Sequence, residues 1–510
     1  MDDILILTQM QIAAELEISV DTLRNWQKQG VVCGSITKAD IASIKERLCA
    51  QGRLSSRANK LYKRGKVTKI NHWSEYESSL EESHRNREGI YYTPQDIVQN
   101  MFSTIPVEGV EDKLFLDPCC GSGNFLVAAL EMGFRAENIY GFDMDGDAVK
   151  IARQRVPKAK IRCGDFLDLA RRMRRRYDYI YTNPPWGKRL SKGQRAEYTE
   201  FYDTPRTADS SALFIIASQR VLKDGGKMGF LVQEAVFNIG TFEWLRRRLL
   251  SLKVECLKDY GRPFKGLVTG AQGVVVENRM AQSGDRCWCN FRHECQMRDV
   301  SSFAKLPKGV MNFWATEHDM QIIESIYAHP HKTLNEPTTR WGLGIVTGDN
   351  DRFCCSEKID SECVGVVRGS DISARGISTP TSYISRDLTQ YQQYASAQIY
   401  EAEVKLIYRF ISSKLVFFAD REQRYPLNSA NCVVVADDFG ATSEQIAELL
   451  NSEVMNWLFE KLYRSHKILR GDIETMPLHI DYFEKYTHFS EEDYCKHLQI
   501  KQVEGGYEKI

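Results

Sequence analysis

Between residues 113 and 277 the chain alternates short apolar runs with segments of helical spacing. The runs at 114–117, 138–142, 160–163, 177–182, 227–232 and 273–276 have the length of buried strands. The segments at 124–132, 146–153, 212–223 and 242–252 carry apolar residues at helical intervals. Strands separated by helices cannot pair as hairpins, so the pattern predicts an α/β sheet, mostly parallel, with ligands at the carboxyl ends of its strands. Upstream, residues 1–50 read as three short helices: Thr8 caps 9–17, Ser19 or Asp21 caps a second helix that ends at Gly30, and a third runs over 37–48. Beyond 285 the alternation gives way to strand-like pieces at 341–348, 364–367, 404–410 and 432–435. A helical stretch over 443–463 follows, which predicts a separate mixed α+β domain.

These shifts divide the chain into an all-α module (1–50), a basic linker (51–87), an α/β domain (88–284), the mixed domain (285–485) and a C-terminal tail (486–510). Gln11 to Leu16 followed by Val20 to Trp26 resembles the helix-turn-helix of excisionase and MerR-like proteins; a three-helix module that contacts protein is the alternative. The linker carries Arg53, Arg57, Lys60, Lys63, Arg64, Lys66 and Lys69. That run suits an arm that contacts phosphates and equally a solvated spacer.

Composition adds limits. At 510 residues and 43% hydrophobic content the chain can bury several cores. Lys plus Arg and Asp plus Glu are both 68, so whole-chain charge is no evidence for an acidic partner, and any nucleic-acid surface has to come from local asymmetry. Asp2 and Asp3 stand where a signal peptide needs basic residues, and no run approaches a membrane span. Fourteen cysteines in such a chain point to reduced thiols and a cytoplasmic protein with no membrane association.

The candidate chemistry lies in four segments that follow strands. Asp117-Pro118-Cys119-Cys120-Gly121-Ser122-Gly123 follows the first; Gly121 and Gly123 let the backbone approach a nucleotide-like ligand, and the helix from Asn124 points its N–H groups at it. Asp143 ends the second, where a carboxylate can take both hydroxyls of a ribose. Asp165 and Phe166 follow the third and offer an acceptor for an adenine amino group and a ring to cover its face. Asn183-Pro184-Pro185-Trp186 follows the fourth. There the Asn183 oxygen and the Pro184 carbonyl can accept both N–H bonds of a planar amine while Trp186 stacks, with proline fixing where the carbonyls point.

In this order and spacing the segments resemble the adenosylmethionine-dependent N6-adenine DNA methyltransferases of the gamma class, over roughly residues 88–480. The resemblance implies a seven-stranded sheet with an antiparallel last hairpin and S-adenosyl-L-methionine over its first two strands. It also implies a target-recognition domain behind, double-stranded DNA as partner, and a cognate restriction endonuclease or phage-defence system. Gly89 to Pro94 is similar to the motif that closes over the methionine moiety, which makes Tyr92 and Thr93 cofactor residues, and Phe264 resembles the aromatic residue that stacks with Trp186 on a flipped adenine. Ser210 to Phe214 and Gly225 to Phe230 fit later structural motifs, while Trp341 to Asn350, Tyr425 to Ser429 and Leu450 to Ser452 resemble parts of gamma-class recognition domains. Cys119 stands where a small residue is usual and Trp186 where Tyr or Phe is more frequent; both preserve the role, though Trp makes a larger wall.

Other clusters are weaker. Cys287, Cys289, His293 and Cys295 lack the paired spacing of a zinc knuckle, so no metal is expected. Asp387, Glu403 and Lys405 mimic a nuclease pattern but fall within the recognition-like segment. The run 171–176, rich in arginine, suits phosphate contact or a solvated helix end. Rival readings are a methyltransferase using the same loop on a glutamine amide of a protein or on RNA, and a DNA-binding regulator without catalysis, against which the intact Asn183 loop argues.

Overall fold

The computed structural model describes residues 92–510 apart from Lys188, Arg189, Lys265, Gly266, Val268 and His293, together with isolated positions between 12 and 48. The expected helix-turn-helix and the basic linker therefore lie outside the described residues, save that Ile12, Leu16, Leu23, Trp26 and their neighbours share one small core. Two compact units divide the chain: Met1–Phe237 with Thr241–Trp314, and Asn238–Gly240 with Ala315–Ile510.

In the first unit the alternating pattern becomes β1 (Phe115–Asp117), α1 (Asn124–Met132), β2 (Ile139–Asp143), α2 (Gly146–Arg155), β3 (Lys160–Cys163), α3 (Phe166–Arg172) and β4 (Tyr177–Thr182). It continues with α4 (Lys192–Phe201), α5 (Ser210–Val221), β5 (Leu222–Gln233), α6 (Glu243–Leu250), β6 (Leu252–Asp259) and β7 (Ala271–Met280). The strands run in the order 3-2-1-4-5-7-6. All neighbours from β3 to β5 are parallel, and β7 lies antiparallel between β5 and β6. That is the seven-stranded, mostly parallel sheet expected. It is covered on both faces: Phe115, Leu116, Ile180, Met228 and Phe230 are fully buried, each stabilising the fold by about 1.5–3 kcal/mol.

The sheet does not stop at β6. Strands β8 (Arg286–Phe291) and β9 (Glu294–Asp299) extend it, β8 parallel to β6 through Cys256↔Trp288 and β9 antiparallel to β8. The boundary expected at 284/285 is thus corrected to 314/315. The cause is half-burial: β8 alternates exposed and buried positions, with Cys287 and Cys289 inward, and Phe303, Met311 and Phe313 join the same core.

The second unit opens with α7 (Glu317–Ala328) and holds a four-stranded sheet and a three-stranded sheet. The first contains β10 (Arg340–Gly342), β11 (Lys405–Arg409), β12 (Phe417–Asp420) and β13 (Ala430–Val434) in the order 10-13-11-12. Helices α8 (Ser443–Asn451) and α9 (Glu453–Leu462) form the predicted helical stretch, broken where Ser452 caps the second by accepting from Met455 N. Residues 486–510 are not a tail. Helix α10 (Glu491–His497) and the hairpin β14 (Ile500–Val503) and β15 (Gly506–Lys509) belong to the unit, burying Tyr494, Leu498, Ile500 and Tyr507, and Glu491 caps α9 by accepting from Glu453 N and Val454 N. Two of the nuclease-like residues are structural: Asp387 accepts from Thr389 N, and Lys405 donates to Asp420 at 2.8 Å with both side chains wholly buried. Asp420 also accepts from Arg424 at 2.7 Å. Replacing Lys405 by Met strands part of a buried charge, so Lys405→Met is expected to cost about 3–5 kcal/mol, read as a lowered urea midpoint.

Among the described residues no helix is long and apolar enough to cross a membrane.

Candidate active site

Because β1 and β4 are parallel neighbours, paired through Phe115↔Tyr179 and Leu116↔Ile180, the segments that follow them leave the same end of the sheet side by side. The glycine turn after β1 and the prolyl loop after β4 both line one cleft of about 370 Å³.

Asp117 is the junction. One oxygen, Oδ1, accepts from Thr182 Oγ1 at 2.6 Å and from Cys119 N at 3.1 Å. The other, Oδ2, is buried and has no hydrogen-bond partner. Burial pushes the Asp117 pKa up to about 7, opposed by the Thr182 and Cys119 bonds and aided by the nearby charge of Asp143. A bare acceptor in such a wall costs stability until a donor meets it.

The turn is held from below. Cys120 N donates to Phe142 O at 2.8 Å, Gly121 N to Asp143 Oδ2 at 2.7 Å, and Asp145 N to Asp143 Oδ1 at 2.9 Å. Gly121 has φ +49°, and a Cβ there would stand 2.9 Å from the Tyr92 ring; Gly123, at φ +94°, starts α1 in a left-handed conformation. Buried Arg155 donates to Ser122 O at 2.8 Å and to Asn124 Oδ1 at 2.7 Å, and Asn124 Nδ2 donates to Thr93 O at 3.0 Å. The segment at Tyr92 and Thr93 is thereby tied to the turn.

On the far wall Asp165 caps α3, its Oδ1 accepting from Leu167 N at 2.9 Å and its Oδ2 from Tyr198 Oη at 3.1 Å. Phe166 is buried, stacked on Phe214 with centroids 5.8 Å apart, and both line the cleft.

The prolyl loop is gripped at two carbonyls. The Cys119 thiol donates to Asn183 O at 3.2 Å, and Ser210 Oγ donates to Pro185 O at 2.8 Å. Asn183 and Pro185 line the cleft. Trp186 is buried, donates Nε1–H to Leu231 O at 3.2 Å, and meets Phe264 edge to face with centroids 5.5 Å apart and planes at 81°.

Of the residues expected from sequence, Tyr92, Thr93, Asp117, Pro118, Gly121, Asp143, Asp165, Phe166, Asn183 and Pro185 line this one cleft. Gly123 and Pro184 belong to the same two segments without being part of the lining, and the Trp186–Phe264 pair packs in the core. A planar base held between those two rings would have to separate them. Thr182 and Arg155 were not singled out from sequence, and Ser210 was named only as the start of a structural motif. Thr182 could have been found as the last residue of a strand beside Asp117, whereas Arg155 reads as a solvated helix end.

Residues 74–256 match the family model described as N-6 DNA Methylase, and residues 364–478 match the TaqI-like C-terminal specificity domain. The chain is 36% identical over 405 residues to the Type II methyltransferase M.VspI of Vibrio sp. (strain 343), covering 74% of this chain and 98% of that protein. Among solved structures, the Type IIL restriction-modification enzyme MmeI in complex with DNA aligns with a TM-score of 0.52 at 11% identity, covering 91% of this chain and 75% of that one. The DrdV–DNA complex aligns with a TM-score of 0.53 at 12% identity, covering 92% and 64%. At these identities the two structures speak for the fold alone.

Proposed function

The chain belongs to the N-6 DNA methylase family, and from that premise we propose that it is a site-specific adenine-N6 methyltransferase acting on double-stranded DNA within a restriction-modification or phage-defence system. The observation that carries the reading is the pairing of β1 with β4, which sends the Asp117 turn and the Asn183 loop into one cleft.

The residues fit S-adenosyl-L-methionine. Asp117 Oδ2 is a buried acceptor without a partner, the complement of an ammonium group. Asp143, which accepts from Gly121 N and Asp145 N and lines the cleft, suits ribose hydroxyls; Asp165 and Phe166 suit an adenine edge and face; Tyr92 and Thr93 border the turn. When bound there, the cofactor supplies an electrophilic methyl group on a sulfonium.

The Asn183 amide oxygen and the Pro184 carbonyl accept the two N–H bonds of the target amine, which turns its lone pair out of ring conjugation and toward the cofactor side of the cleft. An amide cannot take a proton at neutral pH, so the proton leaves to solvent and no covalent enzyme intermediate is required. Reaching N6 in a duplex means swinging the base out at a cost of a few kcal/mol. Stacking on Trp186 and Phe264, at roughly 1–3 kcal/mol per contact, offsets this once the two rings part from their edge-to-face packing. Sequence readout falls to the specificity domain over 364–478, and that domain favours DNA over a glutamine amide or RNA as substrate. A cognate endonuclease partner and a cytoplasmic location belong to this proposal, as does a DNA- or protein-binding role for the N-terminal module.

Incubation with methyl-labelled cofactor and DNA, RNA or protein tests the reading. Label is expected in DNA and recovered as N6-methyladenine after digestion; label confined to RNA or protein would overturn it.

A further inference from the structure

The mechanism asks the Pro184 carbonyl to face the amine, yet three successive carbonyls, of Asn183, Pro184 and Pro185, compete for that place. The outer two are already committed. Asn183 O accepts from the Cys119 thiol at 3.2 Å and Pro185 O from the Ser210 hydroxyl at 2.8 Å, while neither donor reaches Pro184 O.

We propose that Cys119 and Ser210 are positioning residues that hold the prolyl loop at the carbonyls on either side of Pro184 in sequence and so select the Pro184 carbonyl as the one that grips the target amine; this rests on the methyltransferase reading above. Neither touches the reacting atoms. Both come from rigid elements, Cys119 from the turn behind β1 and Ser210 from the first residue of α5, whose side chain is almost wholly buried. Proline has no N–H, so residues 184 and 185 cannot anchor themselves through backbone donors, and fixing the loop requires donors from outside.

Cys119 also ties the clamp to the cofactor wall. Its sulfur lies 2.9 Å from Thr182 Oγ1, which is hydrogen-bonded to Asp117 Oδ1 at 2.6 Å, so Asp117, Thr182, Cys119 and the Asn183 peptide form one chain of contacts in which the single thiol proton serves Asn183 O or Thr182 Oγ1. Burial drives the Cys119 thiol well above its ordinary pKa, with the charge of Asp117 adding to the effect, so it remains an S–H donor at neutral pH. An alanine at this place would pack as well but could not donate. Cysteine here does more than fill space.

The test is single-turnover methyl transfer to DNA, with cofactor affinity measured beside it. Cys119→Ala and Ser210→Ala are each expected to slow transfer about tenfold, and the double variant more, while the cofactor dissociation constant stays within about twofold. Cys119→Ser, which restores an O–H donor in a similar volume, is expected to recover most of the rate. Wild-type rates in both alanine variants would overturn the proposal, as would Cys119→Ser as slow as Cys119→Ala, or cofactor affinity lost in step with rate. Failure of the underlying reading looks different: the wild-type protein itself would place no label in DNA.

Discussion

Asn183→Ala is expected to lower methyl transfer at least about a thousandfold while leaving cofactor binding intact. The asymmetry follows from where the side chain sits. Asn183 is a wall residue on the β4 side, whereas the acceptors suited to the cofactor, Asp117, Asp143 and Asp165, end β1, end β2 and follow β3. Removing the amide takes away one of two acceptors that align the amine, and the Pro184 carbonyl alone leaves it free to rotate. Single-turnover kinetics with calorimetry on the same preparation checks this; cofactor affinity lost together with the rate would move Asn183 to the cofactor site.

The second large effect concerns Asp117. Its pKa near 7 means that the carboxylate, the form that attracts a cation, dominates only above that value. Cofactor affinity is therefore expected to fall about tenfold for each pH unit below 7 and to level off above it. Asp117→Asn should flatten that profile and weaken binding on the order of a hundredfold, because the acceptor remains but its charge does not. Calorimetry of both proteins across the carboxyl's range reads the effect. A wild-type profile as flat as that of the variant would show that Asp117 does not hold a cationic group.

Much of this was legible in the sequence because buried parallel strands are written as largely apolar runs: 177–182 is observed as expected, as is the mostly exposed edge strand 160–163, and the helix at 124–132 begins at Asn124. The cofactor-like residues could be read for a related reason, since each follows a strand and topology carries all such residues to one end of a sheet. Half-buried elements were harder. Strand β6, Leu-Lys-Val-Glu-Cys-Leu-Lys-Asp, has Lys253 and Glu255 paired with Glu277 and Lys227 at the sheet surface, so its charges hid it behind the helix expected over 242–252. The polar helices α3 and α4 were hidden likewise, and the alternation of β8 and β9 read as a change of domain. Nor could the sequence show that Trp186 and Phe264 pack edge to face: both ring types announce stacking, but which surface they meet is decided by the carbonyl of Leu231. Arg155 illustrates the limit, because a basic residue at the end of a helix is ordinarily solvated and only the turn above it makes it a buried strut.

The central claim is geometric: a methyl donor bound over the glycine turn faces an amine held at the prolyl loop. A crystal structure of the wild-type protein with an unreactive cofactor analogue tests it most directly. The account predicts the analogue's ammonium on Asp117, its ribose at Asp143, and its methyl-donor position directed at the Asn183 side chain. An analogue bound elsewhere, or bound here with that position turned away from Asn183, would contradict it.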